Sequence, residues 1–228
     1  MTTAISKGGV IASTKKGTDA RIAGIMFTSA GIIFLILTTA SEAIYPNFSL
    51  QTNSISDMAA IGTQTTAIEE VAILGLAIPW IVGAFYLFRN TGKKSLMFLN
   101  LLPGIGAFLA ALSPENVNIA IHSVGALLAF PFGAIAAILS YRMIHSPFKY
   151  FSVGLGALSL IATLVTFLGQ WIIGPCGTCV GNTPGYVQSL NKLLLGLGGW
   201  ESMIIYPLII WLIGFGNYLL GLRKAENV

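Results

Sequence analysis

Long apolar runs and short polar segments follow one another along the chain, and each run is continuously apolar. A bilayer core requires roughly 20 apolar residues per helical span. Lipid offers backbone N–H and C=O groups no partners, so only helices or closed barrels cross it. Barrel strands alternate apolar and polar positions, so continuous runs favour helices. The pattern predicts six transmembrane helices at about 22–44, 66–88, 95–112, 117–141, 150–174 and 200–222.

The composition supports this interpretation. The 228 residues are 55% hydrophobic and only 9% charged, whereas soluble domains average about 25% charged residues. The mean hydropathy is +0.81. The first apolar run follows a polar stretch and is too long for the core of a signal peptide, so we expect it to stay in the membrane. We therefore predict an all-α, polytopic membrane helix bundle.

The basic residues predict how the helices are oriented. Of the twelve Lys and Arg residues, eleven fall on one side of the predicted spans, and only Lys192 falls on the other. Because basic residues are retained on the cytoplasmic side, both termini are predicted to be cytoplasmic, in a multi-pass protein of the plasma membrane. The predicted parts are a cytoplasmic tail 1–21, a transmembrane domain 22–222 with long outer loops 45–65 and 175–199, and a cytoplasmic tail 223–228.

The acidic residues show the opposite distribution. Six of the eight lie at the outer ends of the predicted helices: Glu42, Asp57, Glu69, Glu70, Glu115 and Glu201. In the first outer loop, Ser54 and Asp57 have the spacing of a capping box and predict a short surface helix that ends near Gly62. The long outer loops indicate that the outer face is the working face.

A polar stripe on the fourth span is the first candidate site. Ser113-Pro114-Glu115 is typical of a helix start, with a cap, a proline and an acidic residue in succession. Glu115, Asn118 and His122 would then share one face. Small residues continue this face and favour close helix packing, so we expect the stripe to point into the bundle. The small residues are Gly125, Ala129 and Gly133, and Glu42, Gln170 and Glu201 approach the same depth from other helices.

Carboxylates and an imidazole facing a cavity could bind a cation, relay protons or act as acid and base. The candidate catalytic residues are Glu115, His122, Asp57 and Glu201. We expect His122 to face a cavity roofed by residues 45–65, with Asp57 or Glu201 in reach. The structural alternative is that these residues face water or pair with one another. Glu69, for example, fits a capping box with Thr66.

Cys176 and Cys179 form a Cys-x-x-Cys pair in the second outer loop. Such a pair can be a redox dithiol, half of a metal site or a disulfide. The chain has no second cysteine pair to relay electrons and too few histidines for a four-ligand zinc site. We predict a structural disulfide and keep outer-face thiol redox chemistry as an alternative.

The positions of the two histidines argue against a bis-histidine haem held by this chain alone. His122 and His145 are 23 residues apart on and beside one helix, which separates them by roughly 35 Å. The motifs of serine hydrolases, zinc proteases and phosphate-binding loops are missing from the sequence. We therefore expect no cofactor, no metal and no nucleic acid partner.

Several short motifs resemble one known family. The chain is similar to the prokaryotic six-helix membrane proteins grouped as domain of unknown function 998. The resemblance covers most of residues 22–222 and implies six helices but no established reaction. Its motifs are Tyr45-Pro46, Asn53-Ser-Ile-Ser-Asp57-Met58, Pro114-Glu115, His122-Ser-Val-Gly125-Ala126, Gly199-Trp-Glu201 and Tyr206-Pro207.

These observations favour a non-catalytic membrane protein. We predict an accessory subunit of a membrane assembly, with a membrane protein partner or a second copy, or a binder of lipids or small molecules. The alternative is a membrane enzyme with an outward-facing carboxylate and histidine site.

Overall fold

The computed structural model describes residues 7–173 and 195–225. Within these residues the chain forms seven α-helices, one short 3-10 helix at Ser140–Arg142 and no strand. The α-helices are α1 Lys7–Ile44, α2 Ile55–Met58, α3 Thr66–Thr91, α4 Lys94–Leu112, α5 Ile119–Leu139, α6 Phe148–Ile173 and α7 Gly196–Ala225.

All helices except α2 are long and apolar enough to cross a membrane. This confirms the all-α class and the six predicted apolar helices. Helix α1 begins at Lys7, well before the predicted span, and its apolar part is Gly17–Ile44. Much of the predicted polar tail therefore continues the first helix.

The six long helices form a closed ring. Each packs against the long helix before and after it along the chain, and α7 completes the ring by packing against α1. Because consecutive long helices run in opposite directions, their connections fall at two ends. We call the end with residues 45–65, 113–118 and 195–199 the acidic end, and the end with residues 92–93 and 143–147 the basic end.

Glycines allow the closest helix contacts. A Cβ on Gly216 of α7 would lie 2.7 Å from the carbonyl oxygen of Gly24 in α1, and a Cβ on Gly24 would meet the Gly216 carbonyl at the same distance. Gly106 of α4 and Gly125 of α5 make a similar reciprocal contact. Since both neighbours are backbone atoms, a side chain at these positions would force the helices apart.

A cluster of aromatic side chains fills the centre of the ring. Trp211 stacks on Phe215 with ring centroids 5.5 Å apart, and Trp80 lies 6.1 Å from Trp211. Phe27 from α1 packs against Phe215 at 5.7 Å. The indole N–H of Trp211 donates to Ser140 Oγ over 3.1 Å, so this deep polar group is satisfied.

The basic end is held by paired polar groups. Arg89 Nε lies 3.3 Å from Asp19 Oδ2, and Asp19 is buried. The Tyr218 hydroxyl donates to the Met143 carbonyl and accepts from the His145 backbone N–H. These contacts join α1 to α3, and α7 to the connection before α6.

Helix α5 starts later than the sequence predicted. Ser113 does not cap it; Asn118 is the N-cap, and its side chain accepts from the Ile121 N–H over 3.2 Å. Pro114 instead begins a separate turn, because its carbonyl accepts from the N–H groups of Val117 and Asn118. The expected single helical face with Glu115, Asn118 and His122 is therefore wrong, since Glu115 lies in the turn.

Candidate functional site

Residues 45–65, which we call the cap loop, cover the acidic end of the ring. The predicted capping box is present: Ser54 Oγ accepts from the Asp57 N–H, and the Asp57 carboxylate accepts from the Ser54 N–H over 2.7 Å. The resulting helix α2 is a single turn rather than a longer surface helix. Its apolar residues Ile55 and Met58 are buried in the bundle, which explains why it does not lie on the surface.

Two glutamates fix α2 over the ring. Glu201 Oε2, from the second turn of α7, accepts from the Ile55 N–H over 2.6 Å. Glu115 Oε2 accepts from Ser56 Oγ over 3.0 Å. Both side chains therefore anchor this turn, Glu201 through a backbone N–H and Glu115 through a hydroxyl.

Further contacts hold the rest of the cap loop. Asn116 pairs with the backbone of Ile61, accepting from its N–H and donating to its C=O, both over 3.0 Å. The Gly199 N–H donates to the Leu50 carbonyl over 2.7 Å. A Cβ on Gly198 would collide with the Asn53 carbonyl. The cap loop therefore packs directly against the glycines at the start of α7.

A cavity of about 70 Å³ lies beneath the cap loop. One water requires roughly 10–15 Å³ on this measure, so the space exceeds a single water several-fold. Ser56, His122 and Glu201 supply polar groups to the wall, and all three belong to the acidic end. Apolar side chains form the rest of the wall, among them Phe34, Ile73, Leu76, Phe130, Ile205, Leu208 and Ile209.

His122 lies in the first turn of α5 and lines this cavity together with Glu201. Its Nδ1 lies 3.1 Å from the Ser113 carbonyl oxygen. Among the described residues it forms no ion pair with Asp57 or Glu201, the two partners expected from the sequence. Those carboxylates are engaged by backbone N–H groups of α2 and of Ser54 instead.

Trp80 lines the inner part of the cavity and is only 2% exposed. Its indole N–H has no acceptor within the described part of the chain. Buried polar groups are satisfied in the great majority of cases, and this donor is one of the exceptions in the described residues, as is the indole N–H of Trp200. An acceptor oxygen of a bound molecule would satisfy it.

Glu69 forms a second polar centre beside the cavity. It is fully buried, and its Oε1 accepts from Thr38 Oγ1 of α1 over 2.8 Å. The expected capping box with Thr66 is wrong: Thr65 is the N-cap residue, and the Glu69 side chain turns into the bundle. One turn after Thr38, Glu42 accepts from the Tyr206 hydroxyl over 2.6 Å.

The structure thus brings Glu115, Asp57 and Glu201 to the cap loop and places His122 in the same cavity wall as Glu201. His145 lies at the basic end, far from His122. No group of three or more His, Cys, Asp or Glu side chains close enough for a metal occurs among the described residues. Cys176, Cys179 and Lys192 lie outside the described residues, as does the side chain of Gln170.

Sequence reasoning missed Trp80, Thr38 and Tyr206. A lone tryptophan, threonine or tyrosine in an apolar run carries no pattern that separates it from a residue facing lipid. Tyr206 precedes Pro207 inside a span, and this dipeptide was noticed only as part of the family resemblance. Glu69 was identified from the sequence, but its position in the first turn of α3 suggested a capping role and did not indicate that its side chain is buried.

No curated protein and no solved structure matches this chain. One family does match: the proteins of unknown function designated DUF998, over residues 28–217. The match contains α3 to α6 in full and parts of α1 and α7, and it includes the cap loop, the turn before α5 and the glycines at the start of α7. The chain therefore belongs to the DUF998 family.

Proposed function

We propose that this protein binds a lipid or another small amphiphile in the cavity under the cap loop. The observation that carries the proposal is the polarity of the cavity wall. Ser56, His122 and Glu201 place polar groups at the acidic end, and the deeper wall is apolar apart from the N–H of Trp80. A wall of this kind matches a molecule with a polar head and an apolar body, since ligand pockets combine apolar linings with a few polar groups that fix orientation.

The cap loop supports this function because it closes the cavity and is held in place by only a few hydrogen bonds. Ile55 and Ser56 belong both to the cavity wall and to the contacts with Glu201 and Glu115. A molecule in the cavity would therefore touch the same residues that hold the loop down. The unpaired N–H of Trp80 offers a second polar contact at greater depth.

The charge distribution supports an orientation for this site. All described Lys and Arg side chains of the loops lie toward the basic end, so we propose that the basic end and both termini face the cytoplasm of a plasma-membrane protein. The cavity would then open toward the outer leaflet. A membrane partner, a second copy and a disulfide between Cys176 and Cys179 stay predictions.

Catalysis receives less support from the contacts. The described atoms of His122 and Glu201 bind backbone groups, and each contact fixes a loop or turn. Binding requires only the cavity and its polar end, and these are both present.

Retention of ligand through purification tests the proposal. Ala126 lines the cavity, and Leu127 is the next residue on α5 but is 48% exposed on the outside of the ring. The protein, purified in mild detergent and studied by native mass spectrometry, is expected to retain an amphiphile. Ala126→Phe should lose this bound mass, because the larger ring fills the cavity, and Leu127→Phe should keep it. Equal retention by both variants would contradict the proposal.

A further inference from the structure

Glu69 carries a buried carboxylate in the first turn of α3. The residue has no exposed surface. Its Oε1 accepts from Thr38 Oγ1, but its Oε2 has no hydrogen-bond partner among the described residues. Burying a carboxylate without a compensating partner is strongly unfavourable, so this oxygen calls for a positively charged or donating neighbour.

Near this carboxylate the described region supplies only hydroxyl donors, from Thr38 and Ser41, and no cation. The ion pair between Arg89 and Asp19 lies at the basic end. The charged group that acts on Glu69 is another carboxylate, that of Glu42, which repels it electrostatically. The start of α3 contributes the partial positive charge of a helix N-terminus, but this offsets only part of the negative charge.

The surrounding atoms are hard oxygen ligands. Thr38 and Glu42 lie four residues apart and so share one face of α1. The hydroxyl of Ser41 is fully buried in the same region and contributes to the surroundings of Glu69. Carboxylate and hydroxyl oxygens suit alkali and alkaline-earth ions rather than transition metals. Glu42 already accepts from the Tyr206 hydroxyl, so among the described residues only Glu69 has a buried carboxylate oxygen without a partner, and one positive charge balances it.

We propose that Glu69 binds a small monovalent cation, together with Glu42 and the hydroxyl oxygens of Thr38 and Ser41. The positive charge could come from a free alkali ion or from the ammonium head of an amphiphile. Ile73, one turn from Glu69, lines the cavity, so a head group could reach this position. The free-ion source is independent of the proposed function, whereas the ammonium source rests on it.

Thermal unfolding in detergent separates these sources. The wild-type protein is heated in sodium chloride and in choline chloride at equal ionic strength, because choline is too large for an enclosed oxygen site. A long-chain primary amine and the matching alcohol form the second pair. An ion that binds only the folded protein raises its unfolding temperature, and we expect sodium or the amine to raise it by several degrees.

Two substitutions assign the effect to this site. Glu69→Gln keeps the shape and the acceptor for Thr38 but removes the charge, and it should abolish the shift. Glu70→Gln, at the adjacent and partly exposed residue, should retain the shift in full. If Ala126→Phe also retains a sodium shift, the cation site stands even where the cavity ligand fails.

Each outcome decides the proposal. A shift with sodium that is lost in Glu69→Gln supports a free-ion site, and a shift with the amine alone that is lost in the same variant supports an ammonium head group. No shift with either compound, at neutral or alkaline pH, would overturn the proposal. A shift of equal size in Glu69→Gln would overturn it as well.

Discussion

The two ends of this helix ring treat charge in opposite ways. At the basic end, Asp19 is buried but paired with Arg89, and the connections between helices are short. At the acidic end, six carboxylates stand without a Lys or Arg among the described residues, and the cap loop covers a cavity. The buried carboxylate at the basic end has a cation within the chain, whereas the buried carboxylate of Glu69 at the acidic end has none among the described residues.

This difference separates structural from functional roles. A buried ion pair that is complete within the chain holds helices together and offers nothing to a ligand. Uncompensated carboxylates are costly to place near the bilayer, and proteins keep them where function requires them. The difference fits the proposed function, in which the basic end stabilises the helix bundle and the acidic end binds the ligand.

The largest loss of stability should come from a substitution at Gly216, where α7 packs closely against α1. In Gly216→Leu the new side chain would meet backbone atoms of Gly24 and Thr28 within 2.7 Å, so α1 and α7 must separate. We expect a loss of about 3 kcal/mol or more and little folded protein in membranes. Size-exclusion chromatography of detergent extracts checks this, and a monodisperse peak at wild-type yield would contradict the assignment.

The same kind of change at Gly198 should affect only the cap loop. A side chain there would collide with the Asn53 carbonyl, and lifting the loop should cost about 2 kcal/mol without separating the long helices. We expect normal yield, faster hydrogen exchange across residues 50–61 and loss of the bound amphiphile. Slower exchange or unchanged ligand retention in Gly198→Leu would show that the loop does not rest on this glycine.

Replacing Arg89 at the basic end should lower the stability of the helix bundle without affecting ligand retention. Arg89→Gln leaves the buried Asp19 without its partner. Because Arg89 is itself 35% exposed, we expect a cost of only about 1–2 kcal/mol. Thermal unfolding should show this decrease, and native mass spectrometry should still show the ligand. Loss of ligand in Arg89→Gln would contradict the proposal that ligand binding depends on the acidic end and not on the basic end.

The smallest effect should come from Glu201→Gln. The amide oxygen can still accept from the Ile55 N–H, so the 2.6 Å hydrogen bond is weakened rather than lost, at a cost of about 1 kcal/mol. We expect a local increase in hydrogen exchange at α2 and unchanged exchange in α4. Matched exchange measurements on Glu115→Gln, whose partner is a side chain, provide the comparison.

The long helices could be predicted from the sequence because hydropathy and length act locally. Every apolar run became a helix, and Ser54 with Asp57 formed the predicted capping box. The start of α5 could not be predicted in the same way. Ser113 and Asn118 are both good N-caps, and the turn at Pro114 decided between them.

The location of the candidate site could be predicted from the sequence, but the hydrogen bonds within it could not. The side chains of Glu201 and Glu115 were expected at the acidic end, yet their partners, Ile55 and Ser56, are far away in sequence. Glu69 shows the same limit: burial and the bond to Thr38 depend on how α1 packs against α3. Such pairings arise from helix packing, which a single sequence does not encode as a local pattern.

Fluorescence quenching at Trp80 tests the central claim most directly, because this side chain lines the proposed binding cavity. The protein in lipid nanodiscs is titrated with a long-chain alcohol brominated along its chain, and the emission of a Trp80→Phe variant is subtracted. We predict saturable quenching of the Trp80 emission that is lost in Ala126→Phe and retained in Leu127→Phe. Quenching that rises without saturation and is equal in both variants would contradict the claim that the cavity binds an amphiphile.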